Sequence, residues 1–153
     1  MKNLSRGFTL IEIILVIALI GIVATTLISL INPVSQFRKT RDTQRKSDLR
    51  QIQAALELYR ADQGGYPLTA NWPACGSPLI SGTTSYMQKI PCDPSNSGKL
   101  VYTYISDGVT YTLFSCLENI LDPQRDLPPT FINGNNATYC TGTTEWSYTL
   151  INP

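Results

Sequence analysis

Residues 8–31 read FTLIEIILVIALIGIVATTLISLI, an apolar run interrupted by one charge, Glu12, close to its start. As a helix these 24 residues extend about 36 Å, enough to cross a hydrocarbon core of about 30 Å. A carboxylate left at mid-bilayer costs roughly 2.5–3.5 kcal/mol on insertion scales, so an acid kept in a span is a paired or functional group by default. The partner of Glu12 is therefore the question on which the whole reading turns. A cleavable secretory signal would have a shorter apolar core, roughly 7–15 residues, and a small-residue cleavage site after it. This run is longer, carries Glu12 inside it, and shows no such site before Asn32.

Outward from the span, the charges are unevenly spread. Lys2 and Arg6 lie in the short head MKNLSRG, whereas Arg38, Lys39, Arg41, Arg45, Lys46 and Arg50 crowd the stretch after the span against only Asp42 and Asp48. From Ala61 onward Lys89, Lys99 and Arg125 face seven carboxylates. The 153 residues contain no histidine, which removes the commonest general base and metal ligand. The length suits one modest domain, or a smaller one with a membrane segment.

The junction Arg6-Gly7-Phe8-Thr9-Leu10-Ile11-Glu12 resembles the class III signal of type IV prepilins and type II secretion pseudopilins. The resemblance implies that a membrane aspartyl peptidase on the cytoplasmic face cuts after Gly7 and methylates the new N-terminal Phe8. It also implies that Glu12, then the fifth residue, pairs with the N-terminal amine of a neighbouring subunit and sets axial register during filament growth. Elementary electrostatics agrees: cutting before Phe8 creates an ammonium at the apolar end of the span, where opposite charges attract strongly and an unpaired one is penalised. Glu12 also stands near a helix N-terminus, which favours negative charge.

The basic flank argues the other way. Six Lys and Arg residues follow the span and two precede it, which by the positive-inside rule puts the C-terminal part in the cytoplasm. The leader requires the opposite, and the downstream basics also suit a solvated helix face. No aromatic residue interleaves them and acids break them up, so a nucleic-acid-binding helix is not expected.

After the span, Asn32-Pro33 predicts a bend or kink. From Val34 to Asp62, Leu49, Ile52, Leu56 and Tyr59 recur at helical spacing with Ala55 beside them, one apolar stripe on a polar helix. Gly64-Gly65 stops that helix and Pro67 prevents its resumption. The stretch RDTQRKSDLRQIQAALELYRADQGGYP resembles the corresponding helix of major pseudopilins and many bacterial pilins. The expected helix runs from about Phe8 to Asp62, roughly 80 Å if unbroken.

Beyond Leu68 the composition turns to Gly, Ser, Thr, Asn, Pro and Tyr, the signature of loops and short strands. Residues 100–105 and 110–116 predict a β-hairpin around Asp107-Gly108, and residues 146–151 a third strand. The expected class is α+β: a long hydrophobic-then-amphipathic N-terminal helix packed on a small antiparallel sheet, the pilin-like arrangement. Its divisions are a leader at 1–7, a membrane or filament-core half-helix at 8–31, an amphipathic half at 32–63, and a loop-rich head at 64–153.

Cys75, Cys92, Cys116 and Cys140 all follow the span, an even count that reads as two disulfides in an oxidising compartment. Three pairings exist, and the sequential one, Cys75–Cys92 with Cys116–Cys140, closes two local loops. With no histidine and no C-x-x-C pair, zinc is not expected. The segment Glu118–Asp126 holds Asp122 and Asp126 as candidate calcium ligands, as a loop does in major pseudopilins. Its spacing is not that of an EF-hand, and an ordinary polar loop is the alternative. Asn136-Ala137-Thr138 fits a glycosylation sequon.

Nothing in this inventory assembles an enzyme, and no cofactor is expected. The first reading is a structural subunit of a type IV pilus-like helical filament, serving adhesion, motility or DNA uptake. The alternative is a type II secretion pseudopilin, and the third is an uncleaved single-pass anchor carrying a binding domain. The resemblance implies as partners copies of this chain and other pilins, the prepilin peptidase, an inner-membrane assembly platform and the lipid bilayer. It implies a membrane precursor whose head lies outside the cytoplasm, and a filament at the cell surface or in the periplasm.

Overall fold

The structure is a computed structural model that describes residues 7–30, 32–126, 140 and 146–152, the side chains of 28–30 excepted. Residues 1–6 of the leader, Ile31 at the end of the apolar run and the sequon at Asn136 lie outside the described residues. By its internal contacts the chain divides into two units, Met1–Gln36 and Phe37–Pro153.

The first unit is built on helix α1, Leu10–Leu30. Thr9 caps it, its Oγ1 accepting the Glu12 N–H at 3.3 Å, so that one of the N-terminal N–H groups a helix leaves unpaired finds an acceptor. Leu, Ile and Val side chains stand exposed from Leu10 to Leu27. By length and composition this helix can cross a membrane, and an all-round apolar surface is what such a helix requires.

Helix α2, Pro33–Gln63, follows as a separate element. Asn32 caps it, its Oδ1 accepting the Ser35 N–H at 3.3 Å, and Pro33 takes the first helical position, where its missing N–H costs nothing. The expected continuous helix is thus two helices, and the Asn32-Pro33 bend is a helix boundary. At the other end Gly64 adopts φ 77° and its N–H closes on the Arg60 carbonyl at 2.8 Å, the left-handed stop that glycine tolerates best.

The head places α2 against two antiparallel sheets. Strands β1, Leu79–Ser81, and β2, Thr84–Met87, form a hairpin across the two-residue turn Gly82-Thr83. Strands β3, Thr103–Ser106, β4, Tyr111–Leu117, and β5, Trp146–Ile151, form a sheet in that order. Thr103 pairs with Phe114 and Ser106 with Tyr111 across the β3–β4 hairpin, while Leu117 opposes Trp146 across the antiparallel β4–β5 pair. The α+β pilin-like arrangement is therefore the observed one.

The stripe on α2 is the core. Leu49, Ile52, Ala55 and Leu56 are buried with Tyr66, Leu79, Ile90, Tyr104, Tyr111, Leu113, Leu117 and Tyr148, and Tyr59 packs partly buried at the edge. Alternation along β4 sends Tyr111, Leu113 and Leu117 toward this core, and Phe114 and Cys116, buried outside it, to the opposite face. Gly65 permits the close approach that locks the hairpin tip. A Cβ there would lie 2.8 Å from the Gly108 carbonyl oxygen, the same oxygen that accepts the Tyr66 N–H at 2.8 Å.

Candidate functional site

Two regions carry chemistry, the N-terminal segment Gly7–Glu12 and a charged cluster in the head. In the first, Gly7, Phe8 and Thr9 are non-helical and exposed. Glu12 falls at the third helical position, three after Thr9. That Thr-x-x-Glu spacing is the sequence signature of a capped N-terminus, and it puts the carboxylate where the helix dipole favours it. The capping role of Thr9 lies in that spacing, which the sequence reading of Gly7, Phe8 and Glu12 did not weigh.

The second region is the basic stretch of α2, and here the structure corrects the expectation of a solvated face. Arg45 is fully buried. Its Nε and Nη2 reach the two oxygens of Asp93 at 2.6 and 3.0 Å, its Nη1 reaches Asp42 Oδ1 at 2.7 Å, and Nη2 also meets Glu118 Oε1 at 2.8 Å. Asp42 turns its oxygens further, accepting the backbone N–H groups of Glu118 and Asn119 at 3.0 and 2.7 Å. Arg41 forks onto Glu118, with Nε at 2.7 Å from Oε1 and Nη2 on Oε2. Lys46 Nζ holds both oxygens of Asp122 at 2.6 Å.

The physical cause is phase. Asp42 and Arg45 continue the helical spacing of Leu49, Ile52 and Leu56 backward, so they point into the head as those residues do. A buried guanidinium must be paired with carboxylates and hydrogen-bonded. Burial alone lowers the Arg45 pKa, and the bonds from Asp93, Asp42 and Glu118 overcome it, raising it above the ordinary value. The Arg41 bond, joined by Arg45 and opposed by burial, holds Glu118 down at about 2. One turn further along α2, Asp48 Oδ2 accepts the Tyr102 hydroxyl at 2.7 Å, and burial raises the pKa of both.

Both disulfides border this cluster. Cys75 is bonded to Cys92, beside Asp93, and Cys116 to Cys140, two residues before Glu118. The arrangement is the sequential one, and among the described residues no cysteine is free. The candidate calcium ligands each have a protein partner. Asp122 is committed to Lys46, Asp126 Oδ2 accepts the Thr149 hydroxyl at 2.7 Å, and among the described residues no group of three acidic, histidine or cysteine side chains could hold a metal. Of the six basic residues after the span, Arg41, Arg45 and Lys46 are thus paired with carboxylates of the head.

Comparison with known proteins gives the following. Residues 2–28 match the family model described as the prokaryotic N-terminal methylation motif. The type II secretion system core protein G of Pseudomonas aeruginosa is 31% identical over 115 residues, covering 70% of this chain and 78% of that one. The protein of the same name from Aeromonas hydrophila is 33% identical over 103 residues, covering 61% and 69%. That from Klebsiella pneumoniae is 31% identical over 117 residues, covering 68% and 76%. No solved structure matches the chain.

Proposed function

The chain belongs to the family of the type II secretion system core protein G, and from that premise we propose that it is a pseudopilin, a structural subunit polymerised into a periplasmic secretion filament. The observation that carries this is the 31% identity covering 78% of the Pseudomonas aeruginosa relative. The match extends well past the methylation motif at residues 2–28 and into the head. The relatives favour the secretion reading over the surface pilus that the sequence put first. The role is structural, not enzymatic.

In this reading the prepilin peptidase cuts after Gly7 and methylates the Phe8 amine. The exposed, non-helical Gly7-Phe8-Thr9 segment supports this, since a peptidase needs backbone outside a helix. The Phe8 amine then stands just ahead of the Thr9 cap, and Glu12 offers its carboxylate to the amine of a neighbouring copy. Growth is head to tail, a heterologous contact that builds an open helix. Two disulfides support a head outside the cytoplasm. The partners are further copies, other pilin-like subunits, the assembly platform and the bilayer.

Deleting the gene in its own cells tests the reading. Loss of exoprotein release with surface filaments retained is expected, restored by the wild-type gene and not by Glu12→Ala. Intact secretion with lost surface filaments would return the assignment to the pilus.

A further inference from the structure

Lys46 places its ammonium on Asp122, one of the two carboxylates that the sequence offers to a metal ion. Its ammonium has three N–H donors and meets three acceptors, Asp122 Oδ1 and Oδ2 at 2.6 Å each and Gln124 Oε1 at 3.2 Å. The Tyr148 ring faces it at 5.8 Å, and the lysine and aspartate side chains are only 12% and 10% exposed. The turn that carries these acceptors is closed on itself. Asp122 Oδ1 also accepts the Gln124 N–H at 2.8 Å, and Arg125 Nη1 donates to the Asp122 carbonyl at 3.1 Å.

The other two carboxylates of the loop have protein partners as well. Glu118 is held by Arg41 and Arg45, and Asp126 by Thr149. Calcium takes six to eight oxygen ligands, and it would have to displace Lys46 to gain Asp122 and the arginines to gain Glu118. Among the described residues, the carboxylates of this loop therefore do not fit a calcium site.

We propose that the Lys46 ammonium is the resident cation of the Glu118–Asp126 loop, so that the head folds and holds this loop without a divalent metal. A lysine anchored on α2 supplies the charge that neutralises Asp122 and does so regardless of the cation content of the medium. It also ties the loop after β4 directly to the helix, which a diffusible ion alone would not. The inference holds whether the filament serves secretion or a pilus.

Thermal unfolding of the full chain in detergent, in EDTA and in millimolar calcium, tests it. Ligand present far above its dissociation constant raises Tm by several degrees in a domain of this size. The wild-type chain is expected to shift by less than about 1 °C. Lys46→Gln is expected to lose several degrees in both media, whereas Arg50→Gln, an exposed basic position on the same helix, stays near wild type. A calcium-dependent gain of several degrees in the wild type, abolished by Asp122→Asn, overturns the proposal. So does a Lys46→Gln chain as stable as Arg50→Gln. Should Lys46→Gln not fold, calcium titration calorimetry on the wild type decides alone: no saturable heat supports the proposal, and saturable binding near one ion per chain overturns it.

Discussion

Arg45 Nε donates to Asp93 Oδ2 at 2.6 Å, with both side chains wholly shielded from solvent. The bond joins α2 to the residue after Cys92, and the contact of the same guanidinium with Glu118 joins it to the end of β4, two residues beyond Cys116. One side chain thus registers both disulfide-anchored segments on the helix.

Removing that cation leaves Asp42 and Asp93 buried without compensation, which costs more than the pair itself contributes. Arg45→Met is expected to destabilise the head by about 3–5 kcal/mol, read from the urea midpoint at constant slope. Arg38→Met, at an exposed position earlier on the same helix, should stay within about 0.5 kcal/mol.

The register of α2 is tested by neighbours of one residue type. Leu56 is 0% exposed and Leu58 is 61% exposed. Leu56→Ala is expected to cost about 2–5 kcal/mol through lost burial and a residual cavity, and Leu58→Ala under about 0.5 kcal/mol. Equal losses would mean that a different face of the helix meets the sheets.

Acid should act through Glu118. Its pKa is about 2 in the folded head and about 4.3 in an unfolded chain. A depressed acid stabilises the fold above its unfolded pKa and loses that contribution as pH falls toward its folded one. Stability should therefore decline from about pH 4.5 to about pH 2. Burial raises the pKa of Asp48, which works in the opposite sense, so the difference between wild type and Glu118→Gln is the quantity to plot. That difference should shrink with falling pH, and a difference independent of pH would contradict the assignment.

The two disulfides close loops of 17 and 24 residues. Loop entropy gives about 3 kcal/mol for each, with little to separate them. Double alanine replacement of either pair should lower stability by about that amount in urea titrations, and a pair whose loss costs nothing would contradict the loop-entropy account.

The periodic features of the fold were legible in the sequence. The Leu49–Tyr59 stripe, the Gly64 stop, the Asp107-Gly108 hairpin and the strand at 146–151 follow from side-chain period and turn chemistry. The β1–β2 hairpin was missed, because Leu79-Ile80-Ser81 is too short to announce a strand and the Gly82-Thr83 turn signal was not weighed. Asn32-Pro33 looked like a kink because proline inside a helix breaks it; read together, the two residues are a cap and a first helical position. The charged cluster was hidden for a deeper reason. A stripe counted in apolar residues ends at Leu49, yet the same phase runs back through Arg45 to Asp42. What makes their burial tolerable is Asp93 and Glu118, 48 residues and more away in sequence. No local pattern reports such partners.

The central claim is a processed filament subunit with an oxidised head. Its most direct test is the intact mass of the protein purified from its own cells, taken before and after reduction. The account predicts a chain beginning at methylated Phe8 and a gain of four hydrogens on reduction, one pair for each disulfide. A chain beginning at Met1 with four free thiols would contradict it and leave an uncleaved anchor whose head faces the cytoplasm.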